Sequence, residues 1–120
     1  MGLDVGIYIE GEDESLLDFG GHWALFDLLG SDDAQPVREG YSDFWVDDDV
    51  LDRLERGIAE LWSDKGVSSR SITEEEARGL LERDEENLSP ETLKAVHVWF
   101  HGWLRDALDA HGDLICAWSA

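Results

Sequence analysis

Apolar residues take every second position from Leu3 to Ile9, and polar or small residues lie between them. A period of two is the pattern of a β-strand with one buried face. We therefore predict a strand over Leu3–Glu10, ended by Gly11 and the acidic residues that follow it.

The same period returns near the end of the sequence. Leu114, Cys116 and Trp118 share one face of a predicted strand over Leu114–Ser119. We expect this closing strand to pair with the opening one. Two strands alone are marginal in water, so the predicted sheet needs helices packed against it.

Three stretches have apolar residues three and four apart, the spacing of a helix with one buried face. Each begins at a residue type that caps helices, because its side-chain oxygen accepts a free backbone N–H. Thr73 and Glu76 also have the spacing of a capping box. The predicted helices run from the Asp47–Asp49 run to Gly66, from Thr73 to about Arg83, and from Ser89–Pro90 to Gly112.

The remaining stretches carry weaker signals. Residues 15–30 are apolar but ambiguous, and within them we predict a short helix over His22–Leu29 closed by Gly30, with a strand as the alternative. The other predictions are a surface loop over Ser31–Gly40, an extended segment over Tyr41–Val46 and a polar linker over Asp84–Leu88. Together the elements predict one α+β domain over residues 1–120. In it, a small sheet containing the N- and C-terminal strands is packed by three to four helices.

Composition supports a single folded domain. A chain of 120 residues with 42% hydrophobic residues and six Trp is enough for one core. The only cysteine, Cys116, excludes an internal disulfide, and we expect it to be a small buried residue. We expect neither a secretory signal nor a membrane span, since no apolar run approaches about 18 residues. This predicts a cytoplasmic protein.

Charge narrows the range of partners. The 29 acidic residues against nine Lys and Arg give a net charge of −20, so we expect no direct binding to DNA, RNA or an anionic membrane. Residues 1–37 hold nine acids and residues 106–120 hold three, with no Lys or Arg in either segment. These two segments therefore carry −12 of the total, and pairing of the terminal strands would bring them together.

Catalytic motifs are missing from the sequence. It contains no P-loop, dinucleotide fingerprint or nucleophile elbow, so we predict no cofactor and no enzymatic activity. His97 and His101 have the spacing of two imidazoles on one metal, but Val98 stands where a zinc protease has its glutamate. We interpret His97 as a hydrogen-bonded core residue, and keep a metal-dependent enzyme using His97 and His101 as an alternative.

These observations predict a non-enzymatic acidic binding protein that engages a basic protein surface, such as that of a nuclease or another nucleic-acid-binding protein. Inhibitors that mimic nucleic acid, acting against restriction or CRISPR systems, and immunity proteins for nuclease toxins are of this type. The alternative is a salt-adapted soluble domain whose acidity serves solvation only. Trp45, flanked by acids, has the character of an interface anchor. The predicted contact residues are Glu12, Asp13, Glu14, Asp18, Asp32, Asp33, Asp43 and Trp45.

The opening residues Met1–Asp4, the acid-capped helix after an aromatic stretch, and the closing strand with Trp118 and Ser119 resemble a group of small phage and prophage proteins. Members of this group open with Met-Gly-Leu-Asp and are uncharacterised. The resemblance implies an origin on a mobile element and brings no particular activity.

Overall fold

A four-stranded antiparallel sheet organises the computed structural model, which describes residues 2–40, 42–68 and 70–120. The strand order is β2-β1-β4-β3, so the N- and C-terminal strands lie side by side at the centre, as predicted. In their register Val5 pairs with Trp118 and Ile9 pairs with Leu114. The strands are β1 (Asp4–Ile9), β2 (Ser15–Gly20), β3 (Phe44–Val46) and β4 (Leu114–Ser119).

Four α-helices occur in the described part of the chain: α1 (Trp23–Leu29), α2 (Asp48–Trp62), α3 (Glu74–Leu81) and α4 (Pro90–His111). The caps of the three longer helices are those predicted, since side-chain oxygens of Asp47, Thr73 and Ser89 each accept a backbone N–H of the first turn. Gly30 ends α1 with a φ of 69°, a conformation that favours glycine. The predicted α+β fold class is therefore confirmed.

The helices cover one face of the sheet. Phe19 on β2 meets Phe100 on α4 with ring centroids 5.8 Å apart. Phe26 on α1 packs on Trp118 of β4 at 4.8 Å. Most residues on this covered face are almost fully buried, including Leu3 just before β1 and the strand residues Val5, Ile7, Leu17, Phe19, Phe44, Val46, Leu114 and Cys116.

Both outer edges of the sheet are partly occupied. On β2, the carbonyl of Leu16 accepts from Nη1 of Arg78 at 3.1 Å. On β3, the N–H of Trp45 donates to the carbonyl of Gln35 at 2.8 Å. These contacts satisfy some of the free backbone groups of the two edge strands, which are otherwise sites of unwanted pairing.

The structure corrects the predictions in a few places. Residues 15–20, left ambiguous above, form β2, and the strand alternative for His22–Leu29 is wrong because residues 23–29 form α1. A bulge places two residues, Leu16 and Ser15, opposite Tyr8, which hides the alternation of β2 in the sequence. The linker contains a 3₁₀ turn at Glu85–Asn87.

The predicted extended segment over Tyr41–Val46 is confirmed in part. Phe44–Val46 form β3, whereas Tyr41 lies outside the described residues. The helical period of α4 also predicts His111 on the buried face of that helix, but His111 is exposed. No helix in the described ranges is long and apolar enough to cross a membrane.

Candidate functional site

The face of the sheet away from the helices, here called the open face, carries an unusual mixture of residues. Gly6 pairs with Asp18 on one side and with Ala117 on the other. In the next row Tyr8 pairs with Ile115, which in turn pairs with Trp45. The open face therefore combines small, aromatic and acidic side chains, and its four strands contain no Lys or Arg.

A groove of about 580 Å³ lies at the end of the sheet where β1 begins, and it is lined by open-face residues together with Val5, Phe19 and Trp118. Four carboxylates line it, those of Asp4, Asp18, Asp43 and Glu82, and no basic residue does. Tyr8 also lines it, and its ring lies across Gly6, where an added Cβ would be 2.7 Å from the ring. Glycine at position 6 therefore lets the tyrosine ring lie against the sheet as part of the groove wall.

The opposite end of the sheet gathers acids from three connections. Ile9 and Val46 both pair with Leu114, and Tyr8 pairs with Ser15, so the β1–β2 turn, the β3–α2 junction and the α4–β4 turn meet at this end. All of these acids are exposed except Asp47, which is half-buried. We call this set the acidic end: Glu10, Glu12, Asp13, Glu14, Asp47, Asp48, Asp49 and Asp113.

The described connections that form the acidic end contain no Lys or Arg, whereas bases are present on the flank formed by α3 and α4. There, Arg78 lies 3.3 Å from Glu74, and Arg105 lies 3.5 Å from Asp106. Arg70 lies 3.8 Å from Glu76. Exposed pairs of this kind add little to stability, but they neutralise the local field. The acids of the acidic end and of the groove take part in none of these ion pairs.

The structure distributes the predicted contact residues over three places. Glu12, Asp13 and Glu14 lie in the acidic end. Asp18 and Asp43 line the groove, and Trp45 lies half-buried on the open face. Asp32 and Asp33 lie in the turn after α1, where the N–H of Asp33 donates to the carbonyl of Gly30. They belong to neither the groove nor the acidic end.

Several residues of these regions were not predicted as contacts. The Asp47–Asp49 run was explained by helix capping, which the structure confirms for Asp47, so its place at the sheet end was missed. Asp4 and Asp18 share the open face because β1 pairs with β2. The sequence pattern did not identify β2, so this proximity was not predicted. For Glu82, which reaches the groove from the end of α3, the sequence offers no signal.

The two histidines of the metal hypothesis have separate surroundings. His97 is fully buried, and its Nδ1 accepts from Nε1 of Trp62 at 3.0 Å. His101, one turn later, has its Nε2 3.9 Å from a carboxylate oxygen of Glu55. Among the residues that the structure describes, no three His, Cys, Asp or Glu side chains are grouped to hold a metal ion.

Cys116 is buried on the covered face, as predicted. Burial, with a smaller contribution from the charge of Asp43, raises the pKa of its thiol well above the ordinary range. A thiol held protonated in this way is a poor nucleophile.

Comparisons of the chain with known protein families, with curated proteins and with solved structures found no match. The resemblance to phage proteins therefore stays a prediction. A functional proposal rests on the geometry and charge of the molecule alone.

Proposed function

We propose that the protein is a non-enzymatic acidic binding protein that acts as an inhibitor or nucleic-acid mimic. Its contact surface is the acidic end together with the open face, and its partner is a basic protein surface such as that of a nuclease or another DNA-binding protein. The observation that carries the proposal is that three connections meet at one end of the sheet and hold eight acids and, among the described residues, no Lys or Arg.

The spacing of the charges supports mimicry of nucleic acid. Strands lie about 4.8 Å apart, so the three connections extend over roughly 15 Å. Duplex DNA carries one negative charge per about 1.7 Å of its axis, or roughly nine over the same distance. The eight carboxylates of the acidic end therefore approach the charge density that a DNA-binding surface accepts.

The groove adds a place for one cationic side chain of the partner. Carboxylates form strong, directional hydrogen bonds with a guanidinium group. The tyrosine ring beside Asp18 supplies an aromatic surface over which a cation is also stabilised. As part of the same proposal, the protein acts in the cytoplasm against a restriction, CRISPR or toxin nuclease, in the manner of an anti-defence or immunity protein.

The test compares two variants with equal changes in charge. The first is Glu12→Gln, Asp13→Asn, Glu14→Gln and Asp113→Asn at the acidic end. The control is Asp52→Asn, Glu60→Gln, Asp64→Asn and Glu86→Gln, which are exposed acids elsewhere on the surface. Both variants and the parent protein compete with a fluorescent DNA duplex for a panel of purified nucleases and DNA-binding proteins.

We expect the parent protein to displace the duplex from at least one panel member, and more weakly as salt rises. The acidic-end variant should lose about tenfold or more in affinity at low salt, with a shallower salt dependence, because mimicked phosphate contacts are removed. The control should lose much less. Equal losses in the two variants would mean that only net charge matters, and no displacement from any panel member would reject the proposal.

A further inference from the structure

Two fully buried histidines meet the core from different elements. His22 precedes α1, and His97 lies in the middle of α4. The ring of Phe19 packs at 6.2 Å from His22 and at 5.8 Å from Phe100, which is one turn beyond His97. The two imidazoles therefore belong to the same part of the core.

Hydrogen bonds show whether the bonded nitrogen of each ring donates or accepts. Nε2 of His22 lies 3.1 Å from the carbonyl oxygen of Leu80, and because a carbonyl only accepts, this nitrogen must donate. Nδ1 of His97 receives the indole N–H of Trp62 and must therefore be unprotonated. A neutral His97 then has its proton on Nε2.

The bond between Trp62 and His97 joins the last residue of α2 to the centre of α4. It persists only while Nδ1 keeps its lone pair. A second proton on His97 would occupy Nδ1, so that two donors face each other and the bond is lost. We propose that the Trp62–His97 hydrogen bond is an acid-released latch that holds the C-terminal end of α2 against α4.

The surroundings of His97 disfavour its charged form at neutral pH. Burial, and to a lesser extent the charge of His22, lower the pKa of His97 from 6.5 to about 4. From α2 the ring meets the neutral indole of Trp62, while Glu55 on that helix faces His101. From α3 the nearby group is the Leu80 carbonyl that holds His22. On α4 itself, Lys94 donates to the carbonyl of Val67. None of the hydrogen bonds or ion pairs of the described residues brings a carboxylate to His97, so the latch stays closed until the solution is acidic.

The latch predicts a local event that is distinct from unfolding. Trp118 provides an internal reference, because its indole N–H donates to the carbonyl of Ser42 at 3.0 Å and a carbonyl does not titrate. If acid only releases the latch, the Trp62 hydrogen bond is lost while the Trp118 hydrogen bond remains. If acid unfolds the chain, both are lost together.

Nuclear magnetic resonance of the ¹⁵N-labelled full chain tests this from pH 7 to pH 3.5, with Trp62→Phe used to assign the indole signal. At neutral pH we expect His97 as the Nε2–H tautomer and a slowly exchanging Trp62 indole proton. As the pH falls, that proton should begin to exchange rapidly, tracking the protonation of His97 with a midpoint near pH 4. The population should change tenfold per pH unit, as for a single proton.

Two variants sharpen the assignment. His97→Asn keeps an acceptor near the position of Nδ1 but cannot titrate, so the Trp62 signal should become independent of pH. His22→Gln removes the neighbouring charge and should move the midpoint to higher pH. Any one of three results would overturn the proposal. The first is an Nδ1–H tautomer of His97 at neutral pH, and the second is a Trp62 hydrogen bond that survives protonation of His97. The third is simultaneous loss of the Trp62 and Trp118 hydrogen bonds. The measurement on the unsubstituted chain decides the question even if neither variant folds.

Discussion

The two faces of the sheet use the same four strands for different purposes. On the covered face, apolar residues such as Ile7 and Cys116 are completely removed from water. On the open face, the residues between them include glycine, alanine, serine, isoleucine, tyrosine, tryptophan and aspartate. When one face of an antiparallel sheet is exposed only to solvent, that face normally carries polar side chains.

The difference shows that the open face is not an ordinary solvated surface. Tyr8, Trp45 and Ile115 form a half-buried row across three strands, next to carboxylates, and the described strands of the sheet contain no Lys or Arg. Apolar area bordered by charge of one sign is a feature of contact surfaces. The covered face accounts for folding, and the open face is the surface to which our proposal assigns recognition.

The largest expected change in the free energy of unfolding tests this difference between the two faces, and it compares two adjacent positions on β4. Leu114 is fully buried on the covered face, and Ile115 lies half-buried on the open face. We expect Leu114→Ala to lower the free energy of unfolding by about 2–5 kcal/mol, because it removes buried apolar area and leaves a cavity. Ile115→Ala should cost less than about 1 kcal/mol. Urea denaturation measures both, and equal costs would remove the distinction between the faces.

The next effect depends on pH and belongs to the helical layer behind the covered face. The pKa of His97 is 6.5 as an ordinary group and about 4 in the folded protein, so the unfolded chain binds a proton more readily between these values. Stability from this residue is therefore complete above pH 6.5 and is lost as the pH falls to about 4. The loss is on the order of 3 kcal/mol.

Urea denaturation across this pH range measures the loss in the free energy of unfolding. The titration of carboxylates also changes this free energy with pH, so a control is needed. His97→Asn is the matched control because it removes only the histidine contribution. We expect the parent chain to lose more stability than this variant between pH 6.5 and pH 4. Parallel pH profiles for the two proteins would contradict the prediction.

A smaller effect is expected at the wall of the groove. In Gly6→Ala, the new Cβ would lie 2.7 Å from the Tyr8 ring, so the ring must move. We expect a loss of about 1–2 kcal/mol, in the lower range for overpacking, because an open-face ring can rotate toward solvent. Thermal denaturation and the Tyr8 ring resonances report the two consequences. Gly79→Ala, where nothing lies within 4 Å of the added Cβ, is the control.

The covered face was predictable from sequence, and the open face was less so. Alternation in β1 and β4 and the caps at Thr73 and Ser89 are local signals, and the structure confirms them. The bulge at Leu16 disrupts the local period of β2, and without that strand nothing in the sequence relates Asp18 to Asp4. The acidic end depends on three connections that are distant in sequence, so only the strand order brings it together.

The smallest effect on folding should come from the open-face charges. Asp4 and Asp18 are exposed, and the carboxylate of Asp18 accepts a hydrogen bond from the Ser15 hydroxyl at 2.7 Å. Asp4→Asn with Asp18→Asn should therefore change the free energy of unfolding by less than about 0.5 kcal/mol in dilute buffer. The double substitution removes the repulsion between two like charges in one groove. This gain in the free energy of unfolding offsets the weakening of the hydrogen bond from Ser15.

The same double variant separates recognition from salt adaptation. If the acids serve a partner, the unsubstituted protein is already folded in dilute buffer, and the variant binds more weakly without being less stable. If the acids serve hydration in concentrated salt, the unsubstituted protein should melt at low temperature in dilute buffer and gain strongly in molar KCl. Thermal denaturation at both salt concentrations distinguishes these outcomes. A loss above about 1 kcal/mol in the double variant would show that the open-face charges are structural, because surface substitutions without a folding role stay well below that value.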